Sequence, residues 1–162
     1  MKPSISYCNH EIVSSLECIH FGSSLFQDKK FNQIENYPFN HPKGTVKPKG
    51  GLWASPQESA ETWLEFFSRS RRMAEKCVNS FKFSFKLNSR VIVIDNLDDL
   101  AAFPFRKDLV SVNWEQVCRL GDAVWLTEQG CDITTVSPTI HLCGWDIESI
   151  LILNPNCINN HT

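Results

Sequence analysis

No stretch of the 162-residue sequence approaches the roughly 20 apolar residues that a membrane-spanning helix needs. The first 25 residues carry no basic start followed by a sustained apolar run, so they do not read as a secretory signal. The expectation is a protein with no membrane partner, made and kept in a cytoplasm unless delivered by another route. Glycine (7) and proline (8) are too few, and tryptophan (5) too frequent, for a collagen-like or disordered chain. Gly-x-Gly-x-x-Gly, Walker, Gly-x-Ser-x-Gly and His-Glu-x-x-His motifs are all missing, which removes the easiest enzyme assignments. Repeats, low-complexity tracts and Gly/Ser linkers are missing too, and the length suits one domain spanning residues 1–162 with a core of its own.

Cysteine, by contrast, is abundant: seven, at 8, 18, 77, 118, 131, 143 and 157. An odd number with no Cys-x-x-Cys pair does not read as a disulfide framework, so these are expected to be reduced, mostly buried thiols. Three pairs have a histidine one residue removed: Cys8 with His10, Cys18 with His20, and His141 with Cys143. That gap is shorter than the two to four residues usual between zinc ligands, so no metal site is assigned.

The net charge of −2 conceals an asymmetry. Residues 1–42 sum to −1, residues 43–90 to +6 and residues 91–162 to −7. Either the segments pair across the fold and form solvated faces, or Lys43, Lys47, Lys49, Arg69, Arg71, Arg72 and Lys76 make a basic face for a phosphate-bearing ligand.

Periodicity predicts strands over 16–21, 51–55, 81–85, 91–94, 123–126 and 148–153. It predicts one amphipathic helix from about residue 60 to 77, begun by Ser55 as N-cap and Pro56, and short helices over 96–102 and 114–120, the last stopped by Gly121. Residues 36–51, with three prolines and three glycines, read as a loop. Strands at both ends, helices in the middle and no regular βαβ alternation indicate an α+β fold.

Three stretches each put a polar group at the end of a short apolar strand: Ile19-His20-Phe21-Gly22-Ser23, Gly51-Leu52-Trp53-Ala54-Ser55, and Trp145-Asp146-Ile147-Glu148-Ser149. Singly, each has an ordinary reading: a satisfied histidine, a core aromatic, an exposed carboxylate. In order and spacing together they resemble the ADP-ribosyltransferase superfamily, in its His-Tyr-Glu branch of diphtheria-toxin-like and poly-ADP-ribose-polymerase-like domains. In that family a first strand ends in His-Gly-Ser or His-Gly-Thr, and a Gly-x-Tyr strand leads into a helix. A glutamate then opens an apolar strand that runs to an Asp/Asn-Pro phrase. Glu148-SILIL-Asn154-Pro155-Asn156-Cys157-Ile158 and GGLWASP match the last two. Phe21 is an insertion in the first motif, and Trp53 stands where tyrosine is usual. Asp146, two residues before Glu148, is similar to the first acid of the arginine-modifying branch, whose motif-one arginine is not found here.

The resemblance implies split mixed and antiparallel sheets with peripheral helices, and NAD+ as substrate. Glu148 would be catalytic, stabilising the oxocarbenium cation that develops at the ribose as nicotinamide leaves. His20 and Ser23 would hold the adenosine ribose, Gly22 would offer backbone groups to the carboxamide, and Trp53 would stack on the nicotinamide ring. Ser55 would either steady Glu148 or cap the following helix. Asp146 would face the acceptor or form a turn, and lysines and arginines near the 43–49 loop would meet the pyrophosphate. The implied activity is mono-ADP-ribosyl transfer to a protein or nucleic acid, as in a toxin, effector or phage-conflict factor, with an antitoxin or immunity protein as a further partner. Two alternatives stay open: an NAD+ glycohydrolase of the same fold, and a binding module without turnover. Nucleic-acid binding through the basic segment is a third, though Phe81, Phe83 and Phe85 alternate as core residues do.

Overall fold

The paired glycines at 50 and 51 show how closely the chain is routed. Their φ values are +86° and +77°, and a Cβ at Gly50 would lie 2.2 Å from the Gln33 carbonyl oxygen, so no other residue fits there. From this crossing the chain enters a strand that organises the sheet. The computed structural model describes residues 4–38, 47–108, 111–136, 142 and 145–160. Its strands are β1 (Glu17–Phe21), β2 (Leu52–Pro56), β3 (Ser80–Phe85), β4 (Val91–Ile94), β5 (Ala123–Leu126), β6 (Ser149–Ile152) and β7 (Ile158–Asn160). They form one curled sheet in the order β4-β5-β6-β2-β1-β3-β7, antiparallel except for β4 and β5.

Strand β2 joins the two halves of this sheet. Leu52, Trp53 and Ala54 pair with β6, and only Ser55 and Pro56 pair with β1. Alternation then sends side chains to two cores. Ile92, Ile94, Val124, Leu126, Leu151 and Leu153 pack with Trp114, Val117, Leu100 and Phe103 on one face. Val91, Ala123, Ile150, Ile152 and Ala54 pack with Phe83, Phe85, Cys18 and Val13 on the other. Phe83 and Phe85 are thus core residues, and β3 presents no row of free rings for base stacking.

The helices are α1 (His10–Ser15), α2 (Trp63–Ser68), α3 (Arg71–Ala74), α4 (Leu97–Ala102), α5 (Trp114–Leu120) and α6 (Glu128–Val136). The fold is α+β, yet α4 and α5 carry the chain from β4 to its parallel neighbour β5, a βαβ crossover that the sequence reading did not anticipate. The single helix expected over 60–77 is instead α2, α3 and a 3-10 turn at Glu75–Cys77. Ser70 is extended (φ −131°, ψ 113°) and its carbonyl accepts from Met73 and Ala74, restarting the helix. Ser55 is not the N-cap: β2 runs on through Pro56, and Thr62 caps α2 with Glu65 in a reciprocal capping box. Asn9 caps α1, its side chain accepting from the Glu11 N–H.

Candidate active site

The three motif segments lie side by side because β6, β2 and β1 are neighbours in the sheet. Register fixes His20 first. Its Nδ1 sits 2.7 Å from the Trp53 carbonyl oxygen, which can only accept. Nδ1 therefore carries the proton, and Nε2 of the neutral ring is an acceptor. The Phe81 ring stands 5.1 Å away, centroid to centroid. Burial pushes the His20 pKa below the ordinary 6.5, against the upward pull of its hydrogen bond to Trp53.

This shift has a consequence for stability. As pH falls, the unfolded chain takes up the proton near 6.5, before the folded one does. The His20 contribution is thus fully present above 6.5 and is lost as pH drops through the lower, folded-state value. His20→Asn is expected to flatten the fall in urea midpoint between about pH 7.5 and 5. Equal slopes in both proteins would deny His20 this role.

His20 stands between two recesses. One, of about 430 Å³, is lined by His20, Phe21, Lys47, Trp53, Trp63, Phe67, Met73 and Asp146. The other, of about 310 Å³, includes His20, Ser23, Lys30, Asn79 and Phe81. Both volumes are in the range of small-molecule sites. Phe21 ends β1 opposite Ser80 and forms part of the first wall. Gly22 follows at φ +122° and its N–H donates to the Asn79 carbonyl (2.8 Å). That amide is therefore used within the fold and is not offered to a carboxamide. Ser23 Oγ donates to the Leu25 carbonyl (3.2 Å).

Glu148 belongs to a third, smaller recess of about 140 Å³, with Glu61, Glu128, Cys131, Asp132 and Asp146. Asp146 lines both this recess and the His20–Trp53 cleft. The carboxylate is oriented by Trp125, whose Nε1–H donates to Oε1 at 2.8 Å. Register explains the pair: Trp125 opposes Ile150, which puts Glu148 two residues away on the diagonal. Cys131, set among these carboxylates, has its thiol pushed up to about 12, first by burial and then by Glu148, Asp132, Asp146 and Glu128. It is an uncharged thiol, poorly suited to act as a nucleophile.

Ser55 does not steady Glu148. It is fully buried, and its Oγ has no hydrogen-bond partner among the described residues. Ala54 pairs with Ile150, and Ile150 with Trp125, so the face carrying the Trp125–Glu148 pair is the one opposite Ser55.

Several wall residues escaped the sequence reading. Trp63 and Phe67 are expected only within the helix over 60–77, Lys47 within the basic face and the loop that would meet the pyrophosphate, and Trp125 within a strand. The Thr62-x-x-Glu65 capping box was the available signal, since it starts α2 at Trp63, and Trp63 returns to the β2 end of the fold. Four cations of the basic segment meet carboxylates: Lys49 meets Glu35 at 2.8 Å, Arg69 meets Glu61 at 2.5 Å, Arg71 meets Glu75 at 3.7 Å, and Arg90 meets Asp122 at 3.6 Å. Lys43, His141 and Cys143 lie outside the described residues. No protein-family model, curated protein or solved structure matches this chain.

Proposed function

We propose that the protein cleaves the nicotinamide–ribose bond of NAD+ and transfers ADP-ribose to a macromolecule. The observation that carries this reading is the adjacency of β6, β2 and β1. It makes β2, which carries Trp53, the neighbour of both β1, which carries His20, and β6, which follows Glu148, in a sheet that is nearly divided at β2, as an ADP-ribosyltransferase-like split sheet would be. The reaction builds positive charge at the anomeric carbon, and a carboxylate held in place beforehand lowers that barrier without reorganising. Glu148, oriented by Trp125, is the carboxylate for the task. Trp53 and Trp63 would enclose the nicotinamide ring. His20 Nε2 would accept from a ribose hydroxyl, with Ser23 in the recess beyond. The carboxylates around Glu148 would repel a polyanion, which favours a protein acceptor over a nucleic acid.

A second reading, NAD+ binding without turnover, is favoured by one observation: Glu148 lines a recess distinct from the cleft of His20 and Trp53, the two sharing only Asp146. Mass spectrometry of the protein with NAD+, with and without a cell lysate, separates the readings. Nicotinamide release that is lost in Glu148→Gln, with ADP-ribose added to a lysate protein, is the expected result. Free ADP-ribose alone would make the protein a glycohydrolase. Binding of NAD+ by folded protein with no release in any mixture would overturn the enzyme reading in favour of the second.

A further inference from the structure

The Trp53–Trp63 cleft already holds a cation. The Lys47 ammonium lies 5.2 Å from the centroid of the Trp53 ring and 5.7 Å from that of Trp63. Both distances fall within the range over which an aromatic face attracts a positive charge. Asp146, on the rim of the same cleft, adds a negative charge. Phe67 extends the aromatic wall, its ring 5.0 Å from that of Trp63. The cleft is therefore built as a cation box, and its occupant is a side chain of the protein itself.

We propose that Lys47 is a built-in competitor for this box, displaced when an aromatic cation enters. The inference rests on the reading of the cleft as the nicotinamide site and adds a release device to it. In NAD+ the nicotinamide ring is a pyridinium cation, whereas free nicotinamide is neutral. An incoming pyridinium gains the faces of both tryptophans and must drive the ammonium out. Once the glycosidic bond breaks, the bonding electrons stay with the ring nitrogen and the ring loses its charge. Lys47 then outcompetes the neutral product for the same faces. Lys47 thereby lowers the affinity of the cleft for either ring, and for a cation more than for a neutral one, and it assists product release.

The effect of Lys47 would accordingly depend on ligand charge, not on ring shape alone. Without Lys47 a cationic ring faces neither an occupant nor a nearby like charge, while a neutral ring gains only the vacated space.

The test measures binding of two probes to the full chain by tryptophan fluorescence: 1-methylnicotinamide, a pyridinium cation, and nicotinamide, its neutral counterpart. Lys47→Ala is expected to bind the cation about tenfold more tightly than the parent does, with the neutral probe changing by less than about threefold. Lys47→Arg, which keeps the charge, is expected to behave like the parent. Equal affinity for the cation in the parent and Lys47→Ala, or weaker affinity in Lys47→Ala, would overturn the competitor role while leaving the nicotinamide site intact. Gains of equal size for both probes would also overturn it, reducing Lys47 to a space-filling side chain. If no variant binds either ring, and tetramethylammonium binds Lys47→Ala more tightly than the parent, the cation box stands and the nicotinamide reading falls. If none of the three probes binds any variant, both fall.

Discussion

Glu148→Gln is expected to lower the rate of nicotinamide release from NAD+ by about 10²- to 10³-fold, the loss typical of removing one preorganised electrostatic partner of a transition state. The substitution is nearly isosteric, and the amide oxygen can still accept from Trp125 Nε1–H, so the thermal midpoint is expected to stay within about 2 °C of the parent. What changes is the charge presented to the developing cation. Trp125→Phe supplies the complementary variant, because it keeps an aromatic ring opposite Ile150 but deletes the donor that aims the carboxylate. It is expected to lower kcat by about tenfold with little change in KM, the pattern of a positioning residue. The double variant should then be no slower than Glu148→Gln alone, since an amide that does no chemistry gains nothing from being aimed. Release by Glu148→Gln at the parental rate would remove the carboxylate from the mechanism. Additive losses in the double variant would mean that Trp125 acts by some route other than Glu148.

The strands were legible because their patterns were unambiguous. Val91–Ile94, Ala123–Leu126 and Ser149–Ile152 are short apolar runs that read as buried, and both of their faces are covered by the two cores. Phe81, Phe83 and Phe85 alternate with polar residues, and β3 forms there. What escaped was set by contacts distant in sequence. Residues 97–120 carry nothing local that says β4 and β5 will pair in parallel, because that choice depends on α4 and α5 covering one face of the sheet. The break at Ser70 competes with an unbroken apolar stripe, whose Trp63 and Phe67 line a cleft. Among the site residues, His20, Trp53 and Asp146 line one cleft, while Glu148 lines a neighbouring recess. The Gly22 amide and the Ser55 hydroxyl differ from expectation for a common reason: hydrogen-bond partners follow from register, and a motif does not specify register.

Removing Trp114 should destabilise the fold more than any change within the cleft. It is 1% exposed, the largest of the fully buried side chains, and begins α5 with its backbone N–H donated to Asn36 Oδ1 at 2.8 Å. Its ring packs edge-on to Phe103 at 5.9 Å and stacks on Trp145 at 6.1 Å, with 10° between the ring planes. Trp145 in turn meets Trp53 at 4.6 Å, so one aromatic series runs from the βαβ core to the wall of the cleft. Trp114→Ala deletes the inner end of that series and leaves a cavity that neighbours from both elements cannot fill, at a cost of about 3–5 kcal/mol. Trp114→Phe is expected to cost far less, because the indole Nε1 it removes is buried without a partner among the described residues, so no hydrogen bond is lost with it. Urea denaturation monitored by circular dichroism separates the two, provided the m-value is unchanged. The affinity for 1-methylnicotinamide should fall in Trp114→Ala and hold in Trp114→Phe, since Trp53 leans on Trp145 and Trp145 on this ring. A loss below about 1 kcal/mol in Trp114→Ala would mean that α5 can close over the cavity. In that event the position of Trp53 is held by its pairing with Leu151 and the hydrogen bond from His20, independently of Trp114.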